Sequence, residues 1–131
     1  TDKVRYLFPD RRARALAYHK KHGYYPIMHI MVFQNRVVEE NPDLPRELMR
    51  MWEDAKELAN GFYEDPGYSQ LAFARSEFET QETELGPDPW PSGLKANRVN
   101  IERFMEYSAD QGLIDEPYEP ERLFYPSVLD T

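Results

Sequence analysis

The stretch NPDLPRELMRMWEDAKELANGF, residues 41–62, decides most of what the sequence says about the fold. Its apolar side chains recur every three or four positions, which is the period of an amphipathic α-helix. Asn41 or Asp43 can cap the start of this helix, and Gly61 can end it. Its apolar positions are Leu44, Leu48, Met51, Trp52, Ala55, Leu58, Ala59 and Phe62. We expect this face to pack against a core or an interface.

Four more segments on either side of this helix have helical signals. Residues 11–22 are rich in helix formers, with Asp10 at the start and Gly23 as a C-terminal stop. Residues 35–40 allow a short helical turn, and residues 68–84 show a weaker helical period. Residues 94–111 resume a strong period and end at Gly112. The segment after Gly112 has room for one short helical turn near residues 119–124.

The segment YYPIMHIMVF, residues 24–33, has a different pattern. Its apolar run is nearly continuous and rich in strand-forming residues, with Pro26 before it and Gln34 and Asn35 after it. It predicts a buried central strand over residues 27–34. A single buried strand needs neighbours on both edges, so we expect those neighbours to come from outside this chain or from another copy. The expected fold class is α/β, mainly helical in this chain, with one or two buried strands.

Composition limits the possible functions. The 131 residues are about one domain, and 24 acidic against 16 basic residues give a net charge of −8. Such a chain repels nucleic acid and anionic lipid, and it contains no apolar run of about 20 residues that would insert into a membrane. Without cysteine it has no disulfide, thiolate nucleophile or Cys-based zinc site. His19 and His22 have metal-compatible spacing but no carboxylate beside them, so we expect no metal.

The segment GPDPWPSGLKANR, residues 86–98, carries the strongest functional signal. Prolines stiffen the backbone on both sides of Trp90, and the following helix offers N-terminal amides that suit a carboxylate. Asn97 and Arg98, one turn into that helix, can contact a carboxylate through an amide and a guanidinium. The alternatives are that Trp90 covers the core and that Arg98 forms a surface ion pair. Asp88 is better explained as a cap than as a proton-transfer group.

Three motifs follow one another along the chain: the Pro-Ile-Met-His of residues 26–29, the Asp-Pro-Trp-Pro of residues 88–91 with Gly93 and Asn97-Arg98, and the Gln-Gly-Leu of residues 111–113 followed by Leu123-Phe124. In this order they resemble the C-terminal part of the 4,5-dihydroxyphthalate decarboxylase family and its relatives among ABC-transporter substrate-binding proteins. The resemblance covers nearly the whole chain. It implies a type II periplasmic-binding-protein fold with two α/β lobes, of which residues 1–131 are a partial domain. Because the chain starts at Thr1, we expect preceding sequence to be missing.

The resemblance implies two alternative functions. In the first, the protein is a decarboxylase of aromatic-compound catabolism that works without a cofactor, with His29 as proton donor. Trp90, Ser92, Gly93, Asn97 and Arg98 then hold the hydroxylated aromatic acid. In the second, the same cleft binds an anionic or aromatic solute for a transporter, without catalysis. The enzyme would be cytoplasmic and the transporter component periplasmic.

Two residues leave the substrate and the mechanism open. Ser92 stands where the family has an aromatic Tyr, so the contacts of that Tyr are absent here and the substrate transfers less securely than the fold. His29 is either a group facing the cleft or a core histidine paired with a backbone carbonyl. The partners we expect are a small anionic or aromatic ligand and either a second copy or the missing N-terminal part.

Overall fold

A computed structural model describes residues 3–131 of the protein as five α-helices and two short 3₁₀ turns. The helices are α1 (Arg11–His22), α2 (Asn35–Glu40), α3 (Leu44–Glu64), α4 (Ala74–Leu85) and α5 (Leu94–Asp110). The 3₁₀ turns are Pro120–Arg122 and Pro126–Val128. The predicted helices over residues 11–22, 35–40, 41–62 and 94–111 are confirmed to within a few residues. The weaker one starts later than expected, at Ala74 instead of residue 68.

Local capping explains why α1 has sharp ends. The Asp10 carboxylate accepts a hydrogen bond of 2.9 Å from the Ala13 amide, and Gly23 ends the helix at φ 79°. Only glycine adopts that left-handed geometry without strain. In this geometry the Gly23 amide donates to the His19 carbonyl. The Arg12 guanidinium pairs with Glu77 and Glu84, which ties α1 to α4. None of the α1 side chains is buried, so α1 adds nothing to the apolar core.

The α/β prediction with buried strands is wrong for the described residues 3–131, which contain helices and no strand. Residues 27–34 lie in extended coil, and Met28, Ile30 and Val32 are 66%, 66% and 80% exposed. A strand is stable only when its amides and carbonyls pair with a neighbouring strand, and no such neighbour exists within residues 3–131. A type II periplasmic-binding-protein architecture, which needs a sheet, therefore has no support in this structure.

The apolar core is small. Its buried apolar side chains lie in α2, at the start of α4 and in α5, and they are Val38, Ala74, Leu94 and Ile101. Helix α3 contributes little to it, since its buried residue is Pro45 in the first turn. The predicted apolar face of α3 is mostly exposed, including Met51, Trp52, Leu58 and Phe62. The helix prediction was right and its burial was wrong, because the period fixes a face but not what covers that face.

Residues 126–131, here called the tail segment, connect the starts of α3 and α5. The Arg46 guanidinium donates to the Ser127 carbonyl at 3.0 Å and pairs with Asp130. At the other side, the Lys95 amide donates to the Thr131 backbone oxygen at 2.6 Å. The tail segment thus fixes the first turn of α5. This turn directly follows the loop of residues 86–93, which carries Trp90.

Candidate functional site

An edge-to-face pair of aromatic rings, Tyr25 and Trp90, forms the centre of the candidate site. The ring centroids are 5.4 Å apart and the planes meet at 79°, which is a favourable geometry for two aromatic quadrupoles. Trp90 remains 44% exposed, so the pair covers part of the surface and still offers ring area to a ligand. We call this pair the aromatic wall.

Lys56 on α3 holds the loop that carries Trp90. Its ammonium donates to Asp88 Oδ2 at 2.8 Å and to the Trp90 carbonyl at 3.0 Å, and it also pairs with Glu53. The Trp90 amide in turn donates to Asp88 Oδ1 at 3.1 Å, so Asp88 caps the turn as the sequence indicated. Partial burial lowers the pKa of Lys56, but the hydrogen bonds to Asp88 and Glu53 outweigh that effect and leave the pKa raised. The lysine is therefore charged at neutral pH.

Asn100 on α5 holds the other half of the aromatic wall. Its side chain is buried, and its Nδ2 donates to the Tyr25 carbonyl at 2.9 Å. A buried amide loses water, and this hydrogen bond compensates for part of that loss. The two rings are thus held by two different helices, Trp90 by α3 and Tyr25 by α5.

His29 lies four residues after Tyr25 in the extended segment, and its side chain is exposed. Four residues of extended chain span at most about 14 Å, so the Cα atom of His29 lies within that distance of the Cα atom of Tyr25. The imidazole is not sealed inside a core, and the prediction of a core histidine is not what the structure gives. Its role as a proton donor remains a prediction.

The amides at the start of α5, which we expected to meet a ligand carboxylate, are bound to Thr131. The Leu94 amide donates to Thr131 Oγ1 at 3.3 Å, and the Lys95 amide donates to the Thr131 backbone oxygen. Gly93 precedes them at φ 99°, where a Cβ atom would lie 2.9 Å from the Thr131 carbonyl carbon. In this conformation, Gly93 makes room for Thr131.

Ser92 and Asn97 make internal hydrogen bonds. The Ser92 hydroxyl donates to Glu53 on α3, which adds a second link between α3 and the loop. Asn97 Nδ2 donates to the carbonyls of Pro91 and Gly93, at 2.6 Å and 2.9 Å, and so closes the loop onto the first turn of α5. Both side chains shape the loop that presents Trp90.

Arg98 is held by two carboxylates. Its guanidinium pairs with Glu102 at 3.2 Å, one turn further along α5, and with Glu121 in the first 3₁₀ turn. The hydrogen bond to Glu121 is the largest cause of a raised pKa for Arg98, and the same contact lowers the pKa of Glu121. All three side chains are between 38% and 46% exposed, so the pairs are accessible to solvent and to an anion.

Two other kinds of site, a membrane-spanning helix and a metal centre, are absent from residues 3–131. No helix there is both long and apolar enough to cross a membrane. No three of the His, Asp and Glu side chains in that range converge in a way that would hold a metal ion.

Sequence reasoning missed Tyr25, Lys56 and Asn100. Lys56 follows Glu53 at the i,i+3 spacing of an ordinary helical ion pair, so the sequence predicts that pair and not the contacts of Lys56 with the loop. Asn100 interrupts the apolar period of α5. A polar residue at a helical position that should be buried was the signal from which its hydrogen bond could have been predicted.

Comparison with known proteins gives one distant similarity. No protein-family model matches the chain. The 4,5-dihydroxyphthalate decarboxylase of Comamonas testosteroni is 27% identical to it over 130 residues, which cover 98% of the chain. The chain spans 39% of the length of that decarboxylase. The chain is therefore distantly similar to a decarboxylase along its whole length, and the comparison gives no support to the transporter alternative.

Proposed function

We propose that the chain supplies the aromatic wall and a proton donor to a site for a hydroxylated aromatic acid, in a protein that acts like a 4,5-dihydroxyphthalate decarboxylase. The half-exposed pair of Tyr25 and Trp90 carries the proposal, since its free ring surface suits an aromatic ligand. The similarity of the whole chain to a decarboxylase supports the choice of ligand class.

His29 is the proposed proton donor. When a ring carbon loses its carboxylate as CO2, the electron pair of the broken bond stays on that carbon, which must then take up a proton. Histidine is the side chain whose ordinary pKa lies closest to neutral pH, and this makes it suitable as a general acid. His29 is exposed and lies four residues after Tyr25, so its imidazole is accessible to a ligand.

Arg98 is the proposed partner of the ligand carboxylate. Its guanidinium has five donors in a planar fork and already faces carboxylates, those of Glu102 and Glu121. Because exposed ion pairs are weak, a ligand carboxylate can replace Glu121.

The test separates binding from turnover. Calorimetric titration of 4,5-dihydroxyphthalate into the chain measures Kd for the unsubstituted protein and for Trp90→Ala. Loss of one stacked ring is expected to weaken binding by about tenfold. CO2 release is measured in the longest natural polypeptide that carries this sequence. There, His29→Asn is expected to keep Kd and abolish turnover.

Trp52→Ala is the matched control, because Trp52 is also an exposed tryptophan but is not one of the two rings of the aromatic wall. It should leave Kd unchanged. If Trp90→Ala lowers the melting temperature as well as the affinity, Trp90 only packs the core. Tight binding with no CO2 release by the unsubstituted protein would reject the decarboxylase proposal in favour of binding alone.

A further inference from the structure

We propose that Lys56 is a positioning residue of the candidate site, which acts by fixing Trp90 and by neutralising the carboxylates behind it. The proposal rests on the proposed function, because it assigns Lys56 a role in binding the same aromatic acid. It concerns a residue on α3 that the motifs of the loop did not include.

The hydrogen bonds of Lys56 leave no donor free for a ligand. A lysine ammonium has three N–H donors, and three acceptors surround this one: Asp88 Oδ2, the Trp90 carbonyl and the Glu53 carboxylate. The side chain is 24% exposed, which makes it the least accessible partner in this cluster. Lys56 therefore acts through the loop and does not contact the ligand itself.

Both backbone polar groups of Trp90 depend on this cluster. The carbonyl accepts directly from Lys56, and the amide donates to Asp88, whose other oxygen accepts from Lys56. The prolines at 89 and 91 restrict the backbone further. With its backbone fixed at both ends, the indole meets Tyr25 in one orientation. The ring pair is therefore already ordered before a ligand binds, and binding does not have to order it.

The face of α3 that packs against the loop is polar. Glu53, Lys56 and Asn60 are the partly buried residues of its middle turns, whereas apolar Met51 and Leu58 are more than half exposed. A helix normally buries its apolar face, because burial of charge requires partners. Helix α3 does the reverse at this loop, and the partners of Lys56 are what make that arrangement stable.

The charge of Lys56 also suits an anionic ligand. Four carboxylates line one shallow depression together with Lys56, those of Glu53, Asp54, Glu57 and Asp88, and two of them, Glu53 and Asp88, pair with its ammonium. Without the lysine, this acidic group would repel a diacid that approaches the aromatic wall. Lys56 therefore contributes in two ways, through geometry and through charge, and substitutions can separate them.

The experiment uses the chain in a Trp52→Phe background, so that Trp90 is its single tryptophan. Acrylamide quenching reports the exposure of the indole, and calorimetry reports Kd for 4,5-dihydroxyphthalate. Lys56→Met is expected to increase quenching and to weaken binding about five- to tenfold, because Trp90 must then be ordered when the ligand binds and the acidic group is no longer neutralised. Lys56→Arg keeps the charge, so its affinity for the diacid should be at least half that of the protein with Lys56.

Lys20→Met is the matched control, because Lys20 is an exposed lysine on α1. Asp88→Asn, which removes a negative charge, should increase quenching in the same way and serves as the deciding variant if Lys56→Met does not fold. Unchanged quenching in both variants would overturn the positioning role. If the chain does not bind the diacid at all, the proposed function fails, while the quenching result still decides whether Lys56 positions Trp90.

Discussion

At the scale of single residues, Gly93 is constrained both by its backbone angles and by a neighbouring residue. It joins the Trp90 loop to α5 at φ 99° and ψ 156°, a backbone region that only glycine adopts without strain. The Thr131 backbone also lies against it, 2.9 Å from where a Cβ atom would be. Gly86, at the other end of the loop, has a similar φ of 87° but nothing within 4 Å of its added Cβ atom.

These two glycines allow a paired prediction. Gly86→Ala and Gly93→Ala both introduce backbone strain of about 1–3 kcal/mol. Only Gly93→Ala also displaces Thr131, so it should lower the free energy of unfolding in urea more than Gly86→Ala does. It should also reduce the protection of the Leu94 and Lys95 amides from hydrogen exchange. Equal destabilisation by the two substitutions, with those amides still protected, would show that the tail segment does not depend on Gly93.

The sequence showed parts of the candidate site but not how they meet. The stiff loop around Trp90 and the capping role of Asp88 follow from local rules, since proline and aspartate act within a few residues. The contacts from Lys56 to Trp90 and from Asn100 to Tyr25 join residues 34 and 75 positions apart. Such pairs follow from the tertiary arrangement, which no local pattern in one sequence contains.

At the scale of elements, the helices were predictable and the strand was not. Caps and apolar periods are local, and α1, α2, α3 and α5 lie where these signals put them. The extended segment of residues 27–34 has a strand-like composition, but strand formation depends on a partner strand. Composition alone therefore predicted an element that the described chain does not complete.

Ion pairs help to hold residues 120–131, which comprise the first 3₁₀ turn and the tail segment, so the attachment of these residues should depend on pH. Hydrogen bonds from Arg46 and Arg98 lower the pKa values of Asp130 and Glu121. A carboxyl whose pKa is lower in the folded state stabilises that state at pH values above the ordinary pKa of the carboxyl. This contribution is lost as the pH falls below about 4 and through the folded-state value.

We therefore expect the amides of residues 120–131 to lose hydrogen-exchange protection between pH 5 and pH 2, as judged by protection factors. An Arg46→Gln, Arg98→Gln variant should show low protection at pH 7 and little further change in acid. Arg50→Gln is the control, because Arg50 pairs with Glu47 and Asp54 inside α3. Full protection of residues 120–131 in the double variant at pH 7 would show that these ion pairs do not hold them.

At the scale of the whole molecule, two features oppose each other. The chain has a net charge of −8, which favours separation of copies in solution. It also exposes much apolar surface, with the α3 face of Met51, Trp52, Leu58 and Phe62 turned outward. Ala55 and Ala59 lie on the same face and allow a second helix to approach closely.

We expect this α3 face to pair with the same face of a second copy, since one two-fold contact covers both exposed surfaces. Sedimentation velocity should show association that increases with protein concentration, and added NaCl should strengthen it by screening the repulsion between copies. Trp52→Ser with Leu58→Ser should abolish the association. Leu113→Ser is the control, because Leu113 is equally exposed but lies after α5, away from the α3 face. A single monomeric species at every concentration, in low and high salt alike, would mean that the α3 face does not bind a second copy.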